Sequence, residues 1–138
     1  MPAKNIARKK MTRVEQRELD TKIEFIEGLV RRDPDYVDAL QILGDHYTQR
    51  GRIGEGLKVD ERLARLEPGN PLVFYNLACS YSLAGEIDHA ANALEKALQL
   101  GYRDFDWLAK DPDLKPLRLH SAFDDLKAKI RQLKSKAR

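Results

Sequence analysis

Cysteine is almost absent from these 138 residues: Cys79 stands alone, so no disulfide can form within the chain and packing must hold the fold. A lone thiol is expected in a reducing compartment, and the expected location is the cytoplasm. No stretch approaches the ~18 uninterrupted apolar residues that a membrane-spanning helix needs. The first residues lack the apolar core of a secretory signal. His46, His89 and His120 stand far apart, with no pair at metal-ligand spacing and no second cysteine to join them. The run Gly51-Arg-Ile-Gly54-Glu-Gly56 lacks the Gly-Lys-Ser/Thr ending of a phosphate-binding loop. No motif beside Cys79 would activate a thiolate. These absences leave no basis for assigning a catalytic residue, a metal ligand or a cofactor, and an enzyme is not expected.

Charge, by contrast, is plentiful and unevenly placed. Residues 1–20 carry Lys4, Arg8, Lys9, Lys10, Arg13 and Arg17 against Glu15, Glu18 and Asp20. Residues 127–138 carry Lys127, Lys129, Arg131, Lys134, Lys136 and Arg138 with no acid. The whole has 25 bases and 22 acids, so removing these twelve bases and three acids leaves 13 and 19 in the body. Basic ends on an acidic body suggest an anionic partner, or ends that fold back on the body. Lys9, Lys10 and Arg13 at one end and Lys127, Arg131 and Lys134 at the other are the candidate contacts with an anionic surface such as nucleic acid, ribosome or membrane.

The body repeats itself at an interval of 34 residues. Leu43 falls on Leu77, Tyr47 on Tyr81, Gly51 on Gly85, Ile53 on Ile87, Glu61 on Glu95 and Leu66 on Leu100. Within each copy Leu and Tyr stand four apart on one helical face. Gly44 or Ala78 allows a close helix crossing, and Gly51 or Gly85 suits a helix end. At these residues the chain resembles the tetratricopeptide repeat family, whose unit is a pair of antiparallel helices. The first copy reads Leu40, Leu43-Gly44, Tyr47, Gly51, Gly56, Asp60, Leu63, Pro68. The second reads Phe74, Leu77-Ala78, Tyr81, Gly85, Ala90, Leu94, Ala97. Asp60 replaces an apolar packing residue and Leu63 a small one, so local repacking is expected in the first copy. The resemblance implies an all-α fold, a short right-handed superhelix of antiparallel helix pairs.

Taken in order, residues 1–13 read as a basic disordered arm and 14–138 as one repeat-type domain. Residues 14–33 form a leading helix with Leu19, Ile23, Ile26 and Val30 on one face. Residues 37–70 and 71–102 are the two repeats, with helices expected near 36–50, 53–66, 70–84 and 87–100. Asn70-Pro71 is a strong helix start. Residues 103–138 are a closing cap: a short helix around Phe105, Trp107 and Leu108, a proline-rich turn with Leu114 and Leu117, and a last helix stepping through Leu119, Phe123, Leu126, Ile130 and Leu133. The string Asp-Pro-Asp-Leu followed by Pro-Leu-Arg is similar to the closing segment of many bacterial tetratricopeptide proteins.

The resemblance also implies where a partner would bind. The family holds peptides in the concave groove lined by each repeat's first helix. Carried over by position, the groove residues are Asp38, Gln41, Ile42, Asp45 and Gln49 from the first copy, and Leu72, Tyr75, Asn76, Cys79 and Leu83 from the second. Leu72, Tyr75 and Leu83 would take apolar side chains; the alternative is that they lie beneath the closing segment, against Trp107. A subclass of the family grips a C-terminal carboxylate with basic and amide groups. Here only Asn76 matches, and Asp38 and Asp45 would repel a carboxylate. The groove is acidic and suits a basic partner, the chain's own N-terminal arm included. The function expected is protein–protein interaction, as a small adaptor or scaffold. The alternatives are association with an anionic surface through the basic ends, and self-association through exposed ends of the repeat stack.

Overall fold

The computed structural model describes residues 10–136 and divides into two compact units, 10–69 and 70–136. Among the described residues every regular element is helical. Helices α2 (Val37–Gln49) and α3 (Ile53–Leu66) form the first repeat, and α4 (Pro71–Leu83) and α5 (Ile87–Gln99) the second. The 34-residue offset seen in the sequence is kept at every start, since Val37 maps to Pro71 and Ile53 to Ile87. Two glycines explain the shared turns. Gly51 has φ 85° and Gly85 φ 80°, the left-handed region where a Cβ is strained.

In the unit 10–69, α1 (Arg13–Arg32) opens on a reciprocal cap. Thr12 Oγ1 accepts from Glu15 N at 3.1 Å, and Glu15 Oε1 accepts from Thr12 N at 3.0 Å. Leu19 and Ile23 are buried, and Ile26 and Val30 are half-buried on the same face. Polar contacts fix α1 against α2. The Tyr47 hydroxyl donates to Glu27 Oε2 at 2.5 Å, and Arg50 Nε donates to Asp20 Oδ1 at 2.8 Å. The crossing of α2 and α3 is close. A Cβ on Gly44 would lie 3.1 Å from Asp60 Oδ1, and one on Gly56 would lie 3.0 Å from Thr48 Oγ1. Asp60, at 3% exposure, is buried where the second copy places Leu94.

In the unit 70–136, Asn70 Oδ1 accepts from Leu72 N at 3.0 Å and starts α4 with Pro71 at its first turn. Ala78, Ala90 and Ala97 are fully buried at the α4–α5 contact. Beyond Gly101 come α6 (Phe105–Lys110), a 3-10 turn at Pro112–Leu114, α7 (Lys115–Arg118), a 3-10 turn at Ser121–Phe123 and α8 (Asp124–Lys136). One detail corrects the sequence reading. Leu119 does not open the last helix: it is 77% exposed, and α8 begins at Asp124. His120 interrupts the run, its Nδ1 accepting from Ala122 N at 3.0 Å. Leu114 and Leu117, read as turn residues, are both fully buried. Each contributes about 1.5–3 kcal/mol by leaving water, which is why a proline-rich segment closes tightly.

Candidate functional site

Helix α2 divides cleanly into two faces. Ala39, Leu40, Leu43, Gly44, Tyr47 and Thr48 are buried. The other face presents Asp38, Ile42 and Gln49 exposed, with Gln41 and Asp45 half-buried. These residues recur at intervals of three and four, so they form one stripe along the helix. Ile42 is 44% exposed at its middle, with an acid one turn away on each side. The stripe can bury an apolar side chain and attract positive charge beside it.

On α4 the corresponding positions divide differently. Leu72, Asn76 and Leu83 are half-buried, but Tyr75 and Cys79 are fully buried. Both are closed to a partner because the chain's own closing segment lies on them. The Tyr75 hydroxyl donates to Asp111 Oδ2 at 2.7 Å, and the Cys79 thiol lies 3.6 Å from the same oxygen. Asp111 Oδ1 accepts from Asp113 N at 2.9 Å, and Leu117 N donates to Ser82 Oγ at 3.3 Å. The Tyr75 ring stacks on Tyr102, centroids 4.2 Å apart and planes 7° from parallel. Tyr102 and Asp111 thus cover Tyr75, where the alternative to an open groove had placed Trp107. Burial pushes the Tyr75 hydroxyl well above the usual phenol range, with Cys79 and Asp111 adding to it. Tyr75 is therefore a neutral hydrogen-bond donor at any physiological pH.

Cys79, Asp111 and Asp113 bring potential metal-ligand atoms within 4.8 Å of one another. Hydrogen bonds already engage both Asp111 oxygens, so the cluster reads as the clasp of the closing segment. The sequence marks Asp111-Pro112 as the end of the short helix, and Asp111 does cap α6, but its contact with Tyr75 and Cys79 was not foreseen. Of the histidines, His46 is held below its usual range, first by burial and then by Lys22. His120 caps a turn, and His89 stacks on Tyr81 at 5.1 Å. They are not gathered into one site.

Of the basic ends, Lys9 lies outside the described residues, as does the rest of 1–9. Lys10 is exposed and Arg13 is exposed at the start of α1. Lys127, Arg131 and Lys134 are exposed on α8, where all three line one groove of about 300 Å³ facing α6. A separate cleft of about 580 Å³ in the unit 10–69 is lined by Val30, Leu43, Val59, Arg62 and Arg65, among others. Arg62 is committed there, donating to Pro34 O at 2.8 Å and Asp35 Oδ1 at 2.7 Å.

The fold is thus all-α, a tetratricopeptide-like helical repeat. No family model matches the chain. It is similar to a chloroplastic protein of Arabidopsis thaliana, with 30% identity over 118 residues, covering 83% of this chain and 34% of that protein. It is similar to the peroxisomal targeting signal receptor of Komagataella phaffii, 33% identical over 90 residues, covering 64% and 16%. Superkiller protein 3 of Saccharomyces cerevisiae is 31% identical over 86 residues, covering 62% and 6%. The chain spans about a third of the first of these and less of the others. No helix among the described residues is long and apolar enough to cross a membrane.

Proposed function

We propose that the chain is a protein-binding module that receives a basic, apolar-anchored segment of a partner along the open face of α2. The observation that carries this reading is Ile42. It is 44% exposed in mid-helix, between Asp38 and Asp45, on a helix whose other face is closed. Covering such a side chain is worth up to about 1.5–3 kcal/mol. The acids then select for Lys or Arg beside the anchor and against a carboxylate. Gln41 and Gln49 supply amides at the edges of the stripe. The similarity to a protein named as a targeting signal receptor supports a role in receiving a protein segment.

The test is capture from a cell extract at low and high salt, read by mass spectrometry. The wild-type chain is compared with Ile42→Glu and with Asp38→Lys/Asp45→Lys. Partners kept at high salt by the wild type and lost by both variants fit the reading. A partner retained by both variants would contradict it.

Self-association is a second reading, favoured by α1. Val14 and Phe25 are 54% and 67% exposed. They stand about three turns apart on one stripe of α1. Light scattering on the wild type and on Phe25→Glu distinguishes it: a dimer abolished by the substitution supports it, and a monomer at all concentrations removes it.

A further inference from the structure

We propose that the groove between α6 and α8 is a second binding site, for an acidic peptide segment that carries one large apolar side chain between carboxylates. The groove lies wholly within the unit 70–136. Its floor is apolar, made by Phe105 and Leu108 of α6 with Phe123 and Ile130. Its rim is basic. Lys127, Arg131 and Lys134 stand at intervals of four and three on α8 and so share one face. Arg118 completes the lining, its Nη1 donating to Leu108 O at 3.0 Å and Asp111 O at 2.6 Å. No carboxylate is among the described lining residues.

Two rim cations lean over the floor. Lys127 Nζ lies 6.0 Å from the Phe123 ring centroid, and Lys134 Nζ 5.9 Å from that of Phe105. Lys129 behaves otherwise: it faces α5 and is paired with Glu95. Of the five cations of α8, one is paired within the fold and three line the groove.

The spacing selects the ligand. Lys127 and Lys134 are ~10 Å apart along the helix axis at the usual rise. A single headgroup meets one end of such a row. Carboxylates on alternate residues of an extended peptide, ~7 Å apart, meet its length. A nucleic-acid backbone would satisfy the cations and leave the apolar floor uncovered. An aromatic or large aliphatic side chain covers it, and that burial adds specificity to the charge. The site takes the opposite chemistry to the α2 stripe, so it stands whether or not that stripe binds anything.

The experiment is fluorescence anisotropy with the full chain and a labelled peptide of Asp and Glu flanking one Phe. Saturable binding is expected, weakened about tenfold or more by Arg131→Glu/Lys134→Glu and by replacing the peptide's Phe with Ala. Lys110→Glu/Lys115→Glu makes the same charge change at exposed residues outside the groove lining and should bind as the wild type does. Asp38→Lys/Asp45→Lys should not weaken it. No saturable binding, equal loss in the Lys110/Lys115 variant, or indifference to the Phe would each overturn the proposal. So would tighter binding to phosphatidylserine vesicles or to a single-stranded RNA than to the peptide. Arg131 and Lys134 are exposed, so the double variant should keep the wild-type melting temperature.

Discussion

The hydroxyl of Tyr75 donates to the carboxylate of Asp111 at 2.7 Å, joining residues 36 positions apart. That bond ties the closing segment onto the first helix of the second repeat. It places one buried carboxylate under three donors: a phenol, a thiol and a backbone amide. A double-mutant cycle measures the tie. Tyr75→Phe should cost about 1–3 kcal/mol, because it strips a buried acceptor of its best donor. Asp111→Ala should cost more, since it leaves Tyr75 and the Asp113 amide unsatisfied as well. The coupling between the two should be about 1–2 kcal/mol in denaturant titrations. Additive losses would mean that the two side chains act independently.

The glycines of α3 should respond in opposite directions. A Cβ added at Gly54 would meet nothing within 4 Å, so Gly54→Ala should stabilise by up to about 0.5–1 kcal/mol through helix propensity. Gly56→Ala gains the same propensity but sets a methyl 3.0 Å from Thr48 Oγ1, a hydroxyl already bonded to Gly44 O at 3.0 Å. Overpacking of about 1–3 kcal/mol wins, and the net effect is a loss. Thermal melts of the two single variants decide this.

His46 gives the chain a pH dependence of definite sign. Its folded pKa lies below the ordinary 6.5 because burial, and then Lys22, disfavour the cation. The unfolded chain therefore binds the proton first as pH falls. The contribution is fully present above 6.5 and is lost as pH drops through the depressed folded value. Denaturant midpoints should fall on acidification through this window, and His46→Gln should flatten that fall. An unchanged slope in the variant would remove His46 as the source.

Much of this was legible in the sequence, and the limits have physical causes. Tyr47 and Tyr81, Gly51 and Gly85 were readable because a repeat displays each structural demand twice. The α2 stripe followed from the same register. Cover of α4 by the closing segment was one of two readings the sequence left open; that Tyr102 and Asp111 make the contact was not readable, since it depends on how the irregular segment turns back. The string around Asp111 signalled a cap but gave no partner. Leu119 kept the helical step to Phe123, yet the cap made by His120 starts a new turn after it, and Leu119 ends exposed. Lys127, Arg131 and Lys134 were visible as a basic face. Their apolar floor was not, because Phe105 reaches it from another helix.

The closing segment covers Tyr75 and Cys79 on α4, and the proposed binding mode takes the exposed stripe of α2 instead. The rate at which a thiol reagent modifies Cys79 in the native protein tests it most directly. Cys79 is fully buried beside Asp111, so labelling should be slow in the wild type. Asp111→Ala should label much faster while helical content, read by circular dichroism, stays near that of the wild type. Rapid labelling of the native wild-type protein would contradict this division, and would mean that the α4 face is open to a partner after all.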